Sequence, residues 1–196
     1  MNMAKKSNRN TRGRIVSAAW KLFYEQGYED TTVEEIIELS GTSKGSFYHY
    51  FDGKDALLST LSSLFDEKYE ELTGLLTPEM TAMEQLLFLN RELFHMIEDS
   101  ISLDLLARLY STQLTTNGEK HLLDHNRIYY KLLRKIIAKG QAEGQLSSRS
   151  NVNEMVKLYA LCERALLYDW CLCAGEYALT EYSAKVLPGF LSSFLP

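Results

Sequence analysis

The sequence predicts an all-α protein. Apolar residues recur at helical spacing along most of the chain, leucine-rich runs are long, and there are only 3 prolines and 11 glycines in 196 residues to punctuate them. The arrangement expected is an N-terminal three-helix domain with a helix-turn-helix over residues 1–54, then a helical domain over residues 55–196. Together they make about nine helices.

The elements follow in order. Ile15, Ala18, Ala19, Leu22 and Phe23 mark one face of a first helix, and Gly27 stands where a left-handed stop is needed. Thr32 and Glu35 have capping-box spacing, so a short second helix runs to about Ser40, and Gly41 makes the turn. Ser43 caps a third helix of barely two turns, and Asp52 a fourth that continues to about Leu72. Ala19, Phe23, Ile36, Ile37, Leu39 and Phe47 are the expected core of this small unit. Gly74 ends the fourth helix, and Thr77–Pro78 is read as the cap and first residue of the next. Met83 to Ile97 and Leu105 to Tyr110 form two further helices, and a long one spans about Glu119 to Glu143. The last two run from Met155 to Ala174, closed by Gly175, and from Thr180 to Phe194, with a kink expected at Pro188.

Composition narrows the class. With 45% hydrophobic residues the chain can bury a core without disulfides or metal. Cys162, Cys171 and Cys173 are odd in number and share one apolar segment, which points to reduced thiols. No apolar run is long enough to span a bilayer and none follows the basic N-terminal residues as an export signal would. A cytoplasmic location with no membrane contact is therefore expected. Net charge is −5, yet Lys5, Lys6, Arg9, Arg12, Arg14 and Lys21 all precede the first acid, Glu25. A mobile basic arm leading into a basic helix suits a polyanion.

The stretch "GTSKGSFYHYFDGKDALL" sharpens that expectation. A helix built only to fill a core has no use for Ser43, Lys44, Gly45 and Ser46 in a single turn. In a helix-turn-helix the second helix lies in the major groove, where short side chains reach base edges. Gly45 costs about 1 kcal/mol against alanine in a helix interior but lets the backbone approach the duplex. Thr42, Ser43, Lys44, Gly45 and Ser46 are thus candidates to face bases, and Tyr48 and His49 reach toward phosphates. Thr32, at a helix start, and Lys54 are further phosphate candidates.

From Arg12 to Leu58 the sequence resembles the tetracycline-repressor (TetR) family of bacterial transcriptional regulators. The marks are Ile15, Ala19, Phe23, Gly27, Tyr28, Thr32, Ile36, Gly41, Ser43, Gly45, Tyr48, Phe51, Lys54 and Leu57, in order and at the family's spacing, while Tyr50 and Gly53 depart from its usual residues. The resemblance implies a nine-helix homodimer. DNA-binding heads lie at one end and a ligand-binding body at the other, and an effector changes the head spacing to release DNA.

Beyond residue 58 the resemblance is one of helical layout. In the family the last two helices pair with their copies, which makes Leu158, Leu161, Ala165, Leu172, Val186, Leu187, Phe190 and Leu191 candidates for that seam. Twelve tyrosines and two tryptophans suggest an apolar or aromatic effector in a cavity lined by Phe94, Tyr110, Tyr129, Tyr159 and Trp170. His121 and His125 fall on one helix face with Asp124 beside them, but no fourth ligand is evident, so no metal is expected. Glu92 and His95 form a single Glu-x-x-His where a di-iron bundle needs two. With no cofactor motif and no nucleophile motif, an enzyme is not expected.

The function expected is a ligand-responsive regulator, a repressor binding a palindromic operator in double-stranded DNA as a homodimer and released by a small-molecule effector. The first rival is a DNA-binding accessory protein of the same fold without an effector, and the second, far behind it, is an all-helical enzyme built in the C-terminal bundle.

Overall fold

The computed structural model describes the backbone of residues 2–115 and 120–196, with side chains described for residues 11–115 and 120–196. The described residues form ten α-helices and two short 3-10 turns, without strands. The chain divides into two compact units, one ending at Leu61 and one beginning at Ser62.

In the first unit α1 (Asn2–Gln26) is one continuous helix. The basic residues expected in a mobile arm therefore stand on helical backbone, and the side chains of Lys5, Lys6 and Arg9 lie outside the described residues. Ile15, Ala19 and Phe23 are buried along one face. Gly27, at φ 88°, stops the helix with its N–H on the Phe23 carbonyl, a conformation that costs a residue with a Cβ. α2 (Val33–Ser40) opens with the capping box: the Glu35 carboxylate accepts from the Thr32 N–H at 2.7 Å while the Glu35 N–H donates to Thr32 Oγ1 at 3.2 Å. Gly41, left-handed at φ 59°, closes α2 and aims α3 (Lys44–Tyr50), whose N-cap is Ser43. Ile36, Phe47, Leu57 and Leu58 complete a core with Ile15, Ala19 and Phe23, all at 2% exposure or less. Leu39, expected in that core, is 46% exposed: α2 is short and turns Ile36 and Ser40 inward, which leaves Leu39 on the outer side.

The fourth expected helix is two, α4 (Lys54–Leu58) and α5 (Leu61–Thr73). The hydroxyls of Ser59 and Thr60 bond back to the Ala56 and Leu57 carbonyls, and the Trp20 indole N–H donates to Thr60 Oγ1 at 2.9 Å. Side chains that compete for helix carbonyls in this way favour a break over propagation. Asp52 does not cap α4; Gly53 holds that position with no side-chain bond to the helix.

The second unit is built from α5, α6 (Ala82–Ser100), α7 (Leu103–Thr115), α8 (Ile128–Ala142), α9 (Val152–Leu172) and α10 (Leu179–Leu191). α6 starts at a second capping box, Thr81 with Glu84, so Pro78 sits in the preceding turn and not at the first helical position. The long helix expected from about Glu119 is shorter, because a 3-10 turn (His121–Leu123) and a turn at Asp124–Asn126 precede α8, and Glu119 lies outside the described residues. Gly140 is the point where α6 and α8 touch: a Cβ there would stand 2.5 Å from the Ala82 side chain. Glu98 of α6 receives the Leu179 and Thr180 N–H groups, placing a carboxylate at the positive end of α10. Leu86, Leu89, Phe94, Ile97, Leu106, Leu133, Ile137 and Tyr159 fill the centre with 0% exposure.

Candidate nucleic-acid interface and effector cavity

α3 presents its polar residues outward from a closed core. Phe47 is buried and tilts against Phe51 at 5.9 Å between ring centroids, which fixes the helix, while Ser43, Lys44, Gly45, Tyr48 and His49 are exposed. The Ser43 side chain accepts the Ser46 N–H at 3.1 Å, and the Ser43 and Ser46 hydroxyls lie 2.9 Å apart. Thr42 Oγ1 is 2.8 Å from Ser40 Oγ and is half-buried in the turn. Around Gly45 nothing but Ser43 Oγ, at 4.0 Å, approaches the place of a Cβ, so its backbone is open to a partner. Tyr48 packs edge-on against Phe47 and stays 46% exposed; His49 packs against Tyr50. Thr32, exposed at the start of α2, spends its hydroxyl and N–H on Glu35.

Two placements differ from expectation. Lys54 turns inward: its ammonium donates to the carbonyls of Tyr28 at 2.6 Å and Thr31 at 2.9 Å, and stands 4.3 Å from the Tyr28 ring centroid. Carbonyls in the loop between α1 and α2 attract the cation, so Lys54 ties that loop to α4. Lys44 pairs with Glu34 at 3.4 Å; both side chains are exposed, so the pair opens at little cost. Arg14, not singled out by the sequence, reaches the Gly41 carbonyl at 3.4 Å and puts a guanidinium beside the α2–α3 turn.

The body holds a polar cluster that periodicity did not reveal. Glu163, 4% exposed on α9, accepts from Asn90 Nδ2 at 2.9 Å and from the Tyr129 hydroxyl at 2.6 Å, and Asn90 in turn accepts from the Ser183 hydroxyl. Burial raises the Glu163 pKa above the usual carboxylate value, and the hydrogen bonds from Tyr129 and Asn90 work against that rise. Beside the cluster is an inner cavity of about 50 Å³ whose lining includes Tyr69, Tyr110, Arg127, Tyr129, Glu163 and Arg164. Arg127 is held by Asp66 at 3.0 Å. An outer cavity of about 380 Å³ shares Tyr110, Leu122 and Arg164 with the inner one and is otherwise lined largely by Leu114, Leu123, Leu161, Ala165 and Tyr168.

Of the expected effector residues, Tyr110 lines both cavities and Tyr129 the inner one. Phe94, Tyr159 and Trp170 line neither of these two cavities. Phe94 is fully buried, the Tyr159 hydroxyl donates to the Leu86 carbonyl at 2.8 Å, and the Trp170 indole donates to the Tyr177 carbonyl at 2.9 Å. Of the expected seam residues, Leu161 (52% exposed), Leu172 (66% exposed) and Ala165 face outward, with Leu158, Val186 and Phe190 half-buried. Leu187 and Leu191, at 1% and 0%, belong to the chain's own core, because α10 turns that side inward to pack on α6 and α9. Exposed Tyr168 completes the outward stripe on α9. His121 and His125 do not share a helix face: His121 opens the 3-10 turn, and His125 stacks on Tyr130 in the loop before α8. Among the described residues no group of three or more His, Cys, Asp or Glu is placed to hold a metal ion. Burial raises the Cys162 and Cys171 thiols to about 11, so both stay protonated at neutral pH.

In a helix-turn-helix the second helix is the one that enters the major groove of DNA, and α3 holds that place in the head. Residues 15–61 match the family of bacterial regulatory proteins, tetR family, so the head is similar to the heads of that family. The head is 36% identical to that of the regulator QacR of Staphylococcus aureus over 62 residues, 32% of this chain and 33% of QacR; matches of this kind span about a third or less of the relatives' length. Over nearly the whole chain, the fatty acid metabolism regulator protein of Bacillus subtilis is 23% identical, covering 89% of this chain and 90% of its own. The crystal structure of Thermus thermophilus FadR, a TetR-family repressor in complex with lauroyl-CoA, superposes with a TM-score of 0.76 at 26% identity, covering 94% of this chain and 95% of FadR.

Proposed function

We propose that this protein is a ligand-responsive transcriptional regulator, a repressor that binds a palindromic operator as a homodimer and leaves it when a small molecule enters the body. The observation that carries the reading is α3, a capped helix whose exposed residues are Ser43, Lys44, Gly45, Tyr48 and His49, with Ser46 half-buried beside them, on a head that needs none of their side chains for its core. Ser43, Lys44, Gly45 and Ser46 face bases, with Thr42 beside them in the turn. Thr32, Tyr48, His49 and Arg14 hold phosphates, and Lys54 contributes through the loop it braces. The head, to about residue 54, reads DNA, and the remainder binds effector and dimerises.

One short recognition helix makes too few contacts to be specific, so two half-sites one helical turn apart supply the rest. The outward stripe of Leu158, Leu161, Ala165, Tyr168 and Leu172 on α9, with Val186 and Phe190 on α10, is the seam. Leu161, Ala165 and Tyr168 also line the outer cavity, so effector and partner press on one helix. An effector that binds the wide-headed state better lowers DNA affinity by its differential affinity and no more. A regulator, and not an enzyme, is also what the relatives are described as, and lauroyl-CoA on FadR makes acyl thioesters the first effectors to try. No described helix is long and apolar enough to cross a membrane, in keeping with a cytoplasmic site of action.

The test is fluorescence anisotropy with DNA from upstream of the protein's own gene, shuffled DNA as control, at several salt concentrations. Selective binding that weakens steeply with salt is expected. Lys44→Ala should weaken it about tenfold or more with helicity unchanged. Equal affinity of the variant would remove Lys44 from the interface.

A further inference from the structure

Tyr69, on α5, is 2% exposed, and its hydroxyl is the buried side-chain polar atom that has no hydrogen-bond partner among the described residues. Leaving such a group unpaired costs about 1–3 kcal/mol, so folded chains keep one only where something else satisfies it. Tyr69 lines the inner cavity, its ring 4.9 Å from that of Tyr129, whose own hydroxyl is committed to Glu163. The inner cavity, at about 50 Å³, holds a small polar group or a few waters and no large one, and through Tyr110, Leu122 and Arg164 it adjoins the larger apolar cavity.

Charge decides what kind of group fits. Asp66 neutralises Arg127 in a two-point pair, and Glu163 and Arg164 both line the cavity, so its lining carries both signs of charge. In a lining that carries both signs, an entering carboxylate or ammonium loses its hydration and meets a like charge as well as an opposite one. A plain hydrocarbon end leaves the Tyr69 hydroxyl as it is. An uncharged oxygen avoids all three costs.

We propose that the inner cavity takes the uncharged, oxygen-bearing end of an amphipathic effector, a hydroxyl or carbonyl that accepts from the Tyr69 hydroxyl, while its apolar body lies in the outer cavity between Leu114, Leu123, Leu161 and Tyr168. This rests on the reading of the body as the effector-binding part. Among acyl-bearing effectors, those oxygenated at the buried end are therefore the ones preferred. Tyr110 and Arg164, lining both cavities, stand along the path between them.

The experiment is titration calorimetry on the full chain, without DNA, using decanoic acid and 10-hydroxydecanoic acid. These probes differ by one terminal hydroxyl, so a difference in affinity reports on that oxygen alone. The hydroxy acid should bind about tenfold tighter, the worth of one well-made buried hydrogen bond. Tyr69→Phe should abolish that preference while keeping or improving decanoic acid binding. Equal affinities in the wild-type chain would assign the Tyr69 hydroxyl to a trapped water and overturn the proposal, and this comparison needs no variant to fold. A preference for decanoic acid, a preference that survives Tyr69→Phe, or binding of neither acid would overturn it too. Because the readout omits DNA, a failure of the regulator reading shows separately, as no operator binding with the hydroxyl preference intact.

Discussion

The head and the body handle polar side chains in opposite ways. Around α3 of the head they are exposed or serve neighbours a few residues away, Thr32 with Glu35 and Ser43 with Ser46, while the head's longer-range contacts, Trp20 with Thr60 and Lys54 with the Tyr28 carbonyl, only brace helix ends and loops. In the body the decisive polar contacts are buried and join distant parts of the chain: Asn90 with Glu163, 73 residues apart, and Ser183 with Asn90, 93 apart. The head therefore keeps its chemistry at the surface, ready for a charged polymer and cheap to hydrate when free. The body stakes its chemistry on a low-dielectric interior, where each pair is stronger and each orphan more costly. A DNA reader needs the first arrangement, and a receptor that must recognise one small molecule needs the second.

Three substitutions break or sharpen that contrast. The largest effect belongs to Phe47→Ala, which empties the centre of the head and should cost about 3–5 kcal/mol. Operator binding should vanish while a thermal melt still shows the transition of the body; a single melt lost as a whole would mean the two units unfold as one. Asn90→Ala comes next. It leaves a buried Glu163 oxygen and the Ser183 hydroxyl without their partner, and should destabilise the body by about 2–3 kcal/mol. A denaturant midpoint equal to that of the wild type would mean that water replaces the amide and that the interior is less dry than its burial indicates.

The smallest effect, and the most specific, is that of Glu163→Gln on pH dependence. The folded pKa of Glu163 is raised above 4.5 by burial, so between 4.5 and that value the folded chain binds the proton that the unfolded chain has lost. Stability from this group is thus highest at or below 4.5, falls as pH rises through the folded value, and stays low above it. An amide in place of the carboxyl does not titrate, so the substitution removes that slope. The melting temperature of E163Q relative to wild type should rise from mildly acidic to neutral pH, and a difference independent of pH would place Glu163 in contact with water.

Residues close in sequence were legible from it, and residues brought together by packing were not. The capping box at Thr32, the stops at Gly27 and Gly41 and the cap at Ser43 depend on hydrogen bonds spanning a few residues, so spacing alone determined the helix-turn-helix and the polar side chains that α3 shows, though not that Leu39 is exposed. The family's marks lie in the same stretch, for the same reason. Where two local signals competed, the fold chose between them: Thr77–Pro78 and Thr81 both read as helix starts, and the helix begins after Thr81, where Glu84 completes the box and Gln145 receives the Ala82 N–H at 2.7 Å. Tertiary packing alone decided that Lys54 turns onto loop carbonyls, that Leu187 and Leu191 face inward, and that Tyr69, Glu163 and Arg164 meet at one cavity. Helical periodicity says that a face is apolar, but not which neighbour covers it. A lone glutamate or tyrosine on that face carries no sign of its partner until helices from distant parts of the chain close around it.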